Sequence, residues 1–431
     1  MNTFNIISTL WLLTCFILTT LGIVFKSPGP EYDGGIYYIA FTLLFLVVVL
    51  ALHNKKLLES FELPIGVFIF GVVTLLFSEP LYENDHYRYL WEGNALFRGE
   101  NPYLHPPNSS VLDHLVFSGR ERIGFDHLTT VYPPIGIIWF GIGGIFGLDI
   151  GLRVLMVLNA VLVFFCFSKL KSLVKPWMLV AVFPIMGKEF IQAIHIDLLA
   201  AFFFLLFLTQ KKKNFSKSLI FIFFSIWTKI LGVAAIPFLL FKSTSGFKES
   251  IKRIIPLTVV ASSLPLFMHW MVGLEKLKGL REFTIDWVWN PGFYSILTRV
   301  LDIMDDEARQ ITAYFYAGFI IMLGIFCLRE LLKKNWNFEQ EFCLKMFYLI
   351  FAGLMFFTPV YNGWYAIWFM FPAMLLGLNT GVIYGIFSVF CYTHYGFADY
   401  HWVGELLTHI WFPISVHASF WKNQQVRSEK S

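Results

Sequence analysis

Charged residues are scarce in this sequence. Asp, Glu, Lys and Arg make up only 14% of its 431 residues, whereas soluble domains carry roughly 25%. Apolar runs of about 15 to 20 residues recur from one end to the other, and short polar stretches separate them. This pattern excludes a soluble globular domain, and it predicts an all-α polytopic integral membrane protein.

Cysteine is rare as well, and none of the five cysteines lies in a CxxC motif. Neither a disulfide framework nor a zinc site is therefore predicted. The first apolar run, from Phe4 to Val24, has no basic region before it and no small-residue cleavage site before Lys26. These features predict a retained first helix rather than a removed signal peptide.

Lysine clusters define the predicted orientation. The positive-inside rule places them in the cytoplasm, and they occur in "HNKKLLES", "SKLKSLVKP", "QKKKNFSK", "FKSTSGFKESIKR", "LRELLKKNW" and "WKNQQVRSEKS". This placement requires about 13 to 14 transmembrane helices with both termini inside. We predict these spans near residues 5–25, 37–53, 63–78, 152–168, 176–188, 192–209, 216–228, 230–242, 253–272, 311–328, 341–358, 363–378, 380–396 and 404–421.

The segment "YPPIGIIWFGIGGIFG", from Tyr132 to Gly147, decides the orientation of all that follows it. If it crossed the membrane, the later lysine clusters would face outward. It is marginally short for a hydrocarbon core of ~30 Å and opens with two prolines, so we predict a re-entrant or interfacial helix on the outer side. The chain then divides into N-terminal helices (1–78), a long outer loop with juxtamembrane helices (79–151), central helices (152–272), a second outer loop (273–310), and C-terminal helices with a cytoplasmic tail (311–431).

The first outer loop contains an unusually polar and aromatic stretch, "SEPLYENDHYRYLWEGNALFRGENPYLHPP". We predict a helix from Asp85 to Arg98 because glycine follows it. On that helix Asp85, Arg88 and Glu92 share one face. A simpler interpretation is an interfacial helix that lays its aromatic side chains against lipid and uses Asp85 only as a cap.

This stretch resembles the first outer loop of GT-C glycosyltransferases, specifically the bacterial polyprenol-phosphate-mannose-dependent mannosyltransferases. Their pattern there is a pair of acids, then Tyr-Arg-Tyr-x-Trp-Asp-Gly, then Asn-Pro-Tyr. Here the acid pair is reduced to Asn84 and Asp85, and Glu92 replaces the Asp before Gly. The remaining positions of the pattern match: Tyr87, Arg88, Tyr89, Trp91, Gly93, Asn101, Pro102 and Tyr103.

Later segments resemble the same family in the same order. "VYPPIGIIWF" is similar to its Tyr-Pro-Pro helix, and "IHIDLLAAFFFLL" to its His-Asn-Asp-Ala segment, with Ile196 in place of Asn. "TKILGVAAIPFLLF" resembles a lysine-containing span, and "PVYNGWYAIWFMFP" resembles a Pro-Val-x-x-x-Trp-Tyr-x-x-Trp segment. The resemblance runs from Glu79 to Pro372 and does not reach the last fifty or so residues.

The resemblance implies transfer of a hexose, most simply mannose, from a polyprenyl-phosphate donor to a lipid-linked or cell-envelope glycan acceptor. The transfer would invert the anomeric carbon on the outer side of the inner (cell) membrane. Membrane lipids are the other expected partner and nucleic acid is not expected. No cofactor or metal site is assigned, and a divalent cation is left open because the histidines show no tight ligand spacing.

Roles for individual residues also follow from the resemblance. Asp85 is the implied general base, because an attacking hydroxyl must lose its proton. The residues implied to bind the phosphate or sugar of the donor are Arg88, Glu92, Lys188, His195, Asp197 and Lys229. The aromatic residues implied to bind substrate are Tyr89, Tyr103, Tyr132, Trp364 and Tyr365.

Other interpretations remain open at this stage. Lys188 and Lys229 lie at the ends of spans, where lysines also snorkel to the interface, and Asp197 could serve only its own helix dipole. A transporter or flippase of lipid-linked sugars is a rival class, although such folds often show inverted repeats that we do not find. An O-antigen polymerase or ligase is another, but we would expect its largest outer loop nearer the carboxyl half.

The predicted orientation can be tested by thiol labelling. Cysteines introduced at Ser109 and Ser118 should react with an impermeant reagent added from outside, whereas a cysteine at Ser216 should not. Labelling of all three positions from the same side would contradict the orientation.

Overall fold

The computed structural model describes residues 3–25, 34–210, 214–241, 247–273, 287–334, 336–395 and 399–428. Within these ranges the chain is helical and forms no β-strand, and an isolated β-bridge joins Trp289 to Val360. The prediction of an all-α polytopic membrane protein is confirmed. Part of the predicted second outer loop, residues 274–286, lies outside the described residues.

Six of the described helices are long and apolar enough to cross a membrane. They are Asn5–Val24, Gly35–Asn54, Leu148–Leu170, Phe247–Val272, Asp305–Lys333 and Gln340–Phe357. Shorter apolar helices are Ile65–Leu75, Pro134–Gly144, Asp197–Leu208, Phe215–Thr228, Ile230–Phe241 and Gly363–Leu376. Every predicted span overlaps a helix or a group of short helical pieces, but the count of 13 to 14 crossings stays a prediction.

Several predicted spans are broken rather than continuous. The span near 176–188 consists of Pro176–Ala181, Phe183–Ile185 and a π-helix, Met186–Gln192. The last two predicted spans are Asn379–Phe387 with Ser388–His394, and His401–His409 with Trp411–Ser428. Leu148–Leu170 and Asp305–Lys333 begin inside the predicted outer loops. The division of the chain into segments stays a prediction.

Aromatic packing joins the helices. Trp11 stacks on Phe68 with ring centroids 4.9 Å apart and meets Phe183 edge-on at 5.2 Å. Phe204 meets Phe351 edge-on at 5.6 Å. Because lipid tails are as apolar as these side chains, helix association in a membrane depends on close contact rather than on apolar burial. Interlocking rings supply that contact.

Two short helices of the first outer loop pack tightly on each other. The loop helix, Asp85–Phe97, lies against the re-entrant helix, Pro134–Gly144. The re-entrant helix has 11 residues and is therefore about 16 Å long, too short for a hydrocarbon core of ~30 Å. Asn94 of the loop helix donates from Nδ2 to the carbonyl oxygen of Gly144 at 2.8 Å. This contact anchors the loop helix over the ends of the spans.

The lipid-facing interpretation of the loop helix is wrong. Tyr87, Leu90 and Trp91 are almost completely buried inside the protein. The helix starts at Asp85, as predicted, but no side chain caps it. Its aromatic side is buried because the re-entrant helix and the rest of the loop cover it, so it does not float at the interface.

A glycine contact between these two helices should be sensitive to size. A Cβ atom at Gly93 would overlap the backbone of Phe140 and Gly141. We expect Gly93→Ala to lower stability by about 1–3 kcal/mol through overpacking, measured as a lower thermal midpoint of the purified protein.

Gly324 provides the control, because a Cβ at that position meets nothing within 4 Å. Gly324→Ala should leave the midpoint unchanged or raise it, since alanine favours helix. Equal midpoints for the two variants would contradict the tight packing of the loop helix.

Candidate active site

Five segments that are distant in sequence meet beside the loop helix. They carry Glu83 to Tyr89, Lys188 to Asp197, Lys229, Trp364 with Tyr365, and Tyr392. In the predicted topology, all of these positions are at outer ends of spans. The structure thus brings the predicted donor-binding residues of different helices to one place.

The most buried part is an ion network of Glu83, Lys188, Glu189, His195 and Tyr392. Lys188 Nζ lies 2.5 Å from Glu83 Oε1 and 3.1 Å from Glu189 Oε2. His195 Nε2 lies 2.5 Å from Glu83 Oε2. The Tyr392 hydroxyl donates to Glu189 at 2.9 Å and also bonds Glu83. Charges buried in this way must be paired, because an isolated buried ion is very unfavourable.

The π-helix explains how Lys188 and Glu189 can both reach this network. Its wider turn rotates successive side chains differently from an α-helix, and such turns often occur at functional sites. Just beyond it, Ile194 has a left-handed φ of 54°, which reverses the chain so that the backbone N–H of His195 bonds the carbonyl oxygen of Glu189 at 3.2 Å. The π-helix and the turn at Ile194 therefore interrupt this predicted span where Lys188, Glu189 and His195 meet.

Burial and charge act against each other on Glu83, which lies in the loop outside the spans. Burial raises the pKa of this carboxyl, but Lys188 and His195 outweigh burial and lower its pKa to about 2. Glu83 is therefore an anion at neutral pH.

The ion network contains a group of possible metal ligands. Oxygen or nitrogen atoms of Glu83, Glu189 and His195 lie within 4.8 Å of one another. However, the Lys188 ammonium already bonds both carboxylates, and a second cation there would be repelled by it. We therefore assign these side chains to an ion network, not to a metal.

Asp85 lies at the edge of this network. Its Oδ2 accepts a hydrogen bond from the Tyr89 hydroxyl at 3.3 Å, and that hydroxyl lies 2.9 Å from His195 Nδ1. Asp85 is only partly buried. Burial nevertheless raises the pKa of Asp85, although His195 and Arg88 oppose the shift. A raised pKa makes the ionised carboxylate a stronger base.

Arg88 and Glu92 form a clamp that holds the loop. Arg88 Nη1 bonds Glu92 Oε1 at 2.9 Å and the carbonyl oxygen of Leu128 at 3.1 Å, while Nη2 bonds Gly124 at 2.9 Å and also Phe125. The other oxygen of Glu92 accepts from Thr130 at 2.6 Å. The predicted donor-binding residues Arg88 and Glu92 thus bond each other. Arg88 also bonds the loop backbone, and Glu92 also bonds the side chain of Thr130.

Asp197 and Lys229 form a second ion pair. Lys229 Nζ lies 2.9 Å from Asp197 Oδ2, and the indole of Trp368 donates to Asp197 Oδ1 at 2.9 Å. Asp197 begins its helix, but it also binds these two partners, so it is more than a helix-dipole residue. The Lys229 ammonium lies 4.7 Å from the ring centroid of Tyr365.

The predicted aromatic residues line the same region. Trp364 stacks on His195 with ring centroids 3.7 Å apart. Tyr89 stacks on Phe140 at 4.4 Å and meets Tyr132 edge-on at 5.3 Å. Tyr103 donates to the carbonyl oxygen of Tyr132 at 2.7 Å. Their substrate-binding role stays a prediction, and Tyr89 is almost completely buried among protein side chains.

Sequence reasoning missed two members of the ion network, Glu189 and Tyr392. Glu189 had a visible signal, because a charged residue inside a long apolar run is usually functional and "GKEF" places it next to Lys188. Tyr392 had none, since it lies beyond the resemblance. Glu83 is not among the residues to which the resemblance assigns a role.

The fold is that of a helical membrane protein, and it holds a buried cluster of charged side chains beside the loop helix. A family model described as "Alpha-(1->6)-mannopyranosyltransferase, N-terminal domain" matches residues 21–244. The chain belongs to this family, and the family name supports a mannosyltransferase that takes a sugar donor and a glycan acceptor in the membrane. No curated protein and no solved structure matches the chain significantly.

The clamp leads to a prediction for Arg88. Arg88→Gln leaves Glu92 buried without its cation and frees three loop carbonyls, which should cost about 3 kcal/mol or more. The thermal midpoint should fall clearly. Arg98→Gln removes an exposed arginine of the same loop and should leave the midpoint nearly unchanged. A similar midpoint in both variants would mean that Arg88 does not hold the loop.

Proposed function

We propose that this protein transfers mannose from polyprenyl-phosphate mannose to a glycan or glycolipid acceptor on the outer side of the cell membrane, with inversion and with Asp85 as general base. Membership of the mannosyltransferase family supports the sugar and the reaction class. The lipid donor, the membrane face and the base are our inference from the resemblance and from the site.

A single observation carries the assignment of the base. Among the site carboxylates that the structure describes, Asp85 alone has no cation within ion-pair distance. The other four are held by cations: Glu83 and Glu189 by Lys188, Glu92 by Arg88, and Asp197 by Lys229. A general base needs a free lone pair within reach of the substrate proton, and this favours Asp85.

Side-chain exposure separates the three candidate phosphate-binding cations. The side chain of Lys188 is 0% exposed and that of Arg88 is 11% exposed, whereas Lys229 retains 18%. The guanidinium of Arg88 also donates hydrogen bonds to backbone carbonyl oxygens of the loop. Lys229 is therefore our choice for the leaving phosphate, which would share its ammonium with Asp197.

In this reaction an acceptor hydroxyl attacks the anomeric carbon of mannose as the bond to the lipid phosphate breaks. Asp85 removes the hydroxyl proton, and Lys229 stabilises the negative charge that grows on the departing phosphate. One attack on the face opposite the leaving group inverts the anomeric carbon.

Asp85→Asn tests the base directly. The amide preserves size and polarity, but it cannot take a proton, and loss of a general base typically costs 10²–10⁴-fold in rate. We expect purified Asp85→Asn protein to keep its thermal midpoint and its binding of polyprenyl-phosphate mannose while mannose transfer is lost. Transfer would be measured to an alkyl mannoside and to a lipid extract of the native membranes.

Asp126→Asn is the matched control, because Asp126 is an exposed acid of the same loop. It should transfer mannose at the wild-type rate.

Because a base must be ionised, wild-type activity should fall as the pH drops through the pKa of Asp85, which lies above the usual ~3.9 for Asp. Near wild-type transfer by Asp85→Asn would mean that Asp85 is not the general base.

A further inference from the structure

Tyr89 bonds both Asp85 and a member of the buried ion network. Its hydroxyl lies 3.3 Å from Asp85 Oδ2 and 2.9 Å from His195 Nδ1. His195 in turn bonds Glu83 through Nε2 at 2.5 Å. An unbroken row of hydrogen-bonding groups therefore runs from Asp85 through Tyr89 and His195 to Glu83.

The hydrogen bonds of this row can be arranged in two ways. Nε2 of His195 must donate, because the Glu83 carboxylate only accepts. When the extra proton is on Asp85, the Asp85 carboxyl donates to the Tyr89 oxygen and the Tyr89 hydroxyl donates to Nδ1 of His195. When Nδ1 is protonated, it donates to Tyr89, and the Tyr89 hydroxyl donates to Asp85. The two arrangements differ by one proton shifted along the row.

Acidic side chains and an aromatic ring surround the His195 end of the row. Nε2 of His195 lies 2.5 Å from Glu83 Oε2 and 3.7 Å from Glu189 Oε2. Trp364 stacks on the imidazole with ring centroids 3.7 Å apart. A proton that arrives on Nδ1 therefore meets carboxylates and an aromatic face, both of which attract positive charge.

We propose that Tyr89 is a positioning residue that relays the proton from Asp85 to His195, so that the base is regenerated inside the closed site. The inference rests on the proposed function of Asp85. The acceptor O–H bond breaks and its proton joins the Asp85 carboxylate. That proton then passes from Asp85 to the Tyr89 oxygen while the Tyr89 proton passes to His195 Nδ1. Asp85 is again an anion, Tyr89 is unchanged, and His195 holds the transferred proton beside Glu83. After the products leave, the same row returns this proton through Tyr89 and Asp85 to water, and both groups are ready for the next turnover.

The rings around Tyr89 hold its hydroxyl in place for this step. Tyr89 stacks on Phe140 with an interplanar angle of 1° and a centroid distance of 4.4 Å, and Tyr132 lies edge-on against it. Tyr89→Phe therefore keeps the packing and removes only the hydroxyl. This makes it a clean test of the relay.

Tyr87→Phe is the matched control. Tyr87 is buried on the same helix, and its hydroxyl bonds only the exposed Arg122, at 3.0 Å. Both variants should keep the thermal midpoint, and Tyr87→Phe should keep its activity.

The kinetic test compares mannose transfer in mixtures of H₂O and D₂O. In the wild type, two protons move together, so kcat should depend on the deuterium fraction along a curve. In Tyr89→Phe we expect a straight line, a kcat lower by about tenfold, and an unchanged KM for the donor. An unchanged kcat with the same curvature would overturn the relay.

A second test does not depend on measuring mannose transfer. Infrared titration of the substrate-free protein should show the Asp85 carboxyl band and the His195 ring band changing with one shared midpoint. The bands are assigned by their loss in Asp85→Asn and His195→Asn. The other charged groups that act on this pair are Glu83, Glu189 and Arg88, and none of them is altered.

Tyr89→Phe should split the shared midpoint in two, whereas Tyr87→Phe should not. A shared midpoint that survives in Tyr89→Phe would overturn the relay. If the wild type transfers no mannose, the proposed function fails, and the infrared titration still decides whether Tyr89 couples the two groups.

Discussion

The buried Lys188 ammonium is the interaction on which the site depends. It bonds Glu83 from the first outer loop and Glu189 from its own π-helix, and Tyr392 from the C-terminal part of the chain completes the set. Breaking such a buried pair on one side only is strongly destabilising. The lysine therefore fixes the loop to the helices and, through Glu83 and His195, fixes where Tyr89 and Asp85 lie.

This arrangement gives three neighbouring cations three different tasks. Lys188 joins segments of the chain, Arg88 holds the backbone of the loop, and Lys229 keeps a partly exposed side chain beside Asp197. Composition cannot separate these tasks, because each is a cation near the end of a span or in an outer loop. The difference lies in exposure and in the number of acceptors around each one.

Much of the fold was predictable from local rules. Long apolar runs predicted helices, and six of the described helices are long and apolar enough to cross a membrane. A glycine after Arg98 marked the end of the loop helix near its true end at Phe97. The proline-led segment forms a separate short helix, Pro134–Gly144, and its re-entrant placement stays a prediction. The site was only partly predictable. A break into a π-helix is not visible in an apolar pattern, and Tyr392 meets Glu189 across 203 residues of sequence, a distance over which periodicity carries no information.

The adjacency of Lys188 and Glu189 has a consequence for how the chain enters the membrane. A single charge at the centre of an inserting helix costs about 2.5–3.5 kcal/mol. Here opposite charges are neighbours in sequence and lie 3.1 Å apart, so the segment can be inserted as a nearly neutral pair before any other part of the site exists. Tyr392 is synthesised long afterwards. The site's buried charges can thus be assembled in stages during biosynthesis, with each stage balanced before the next helix arrives.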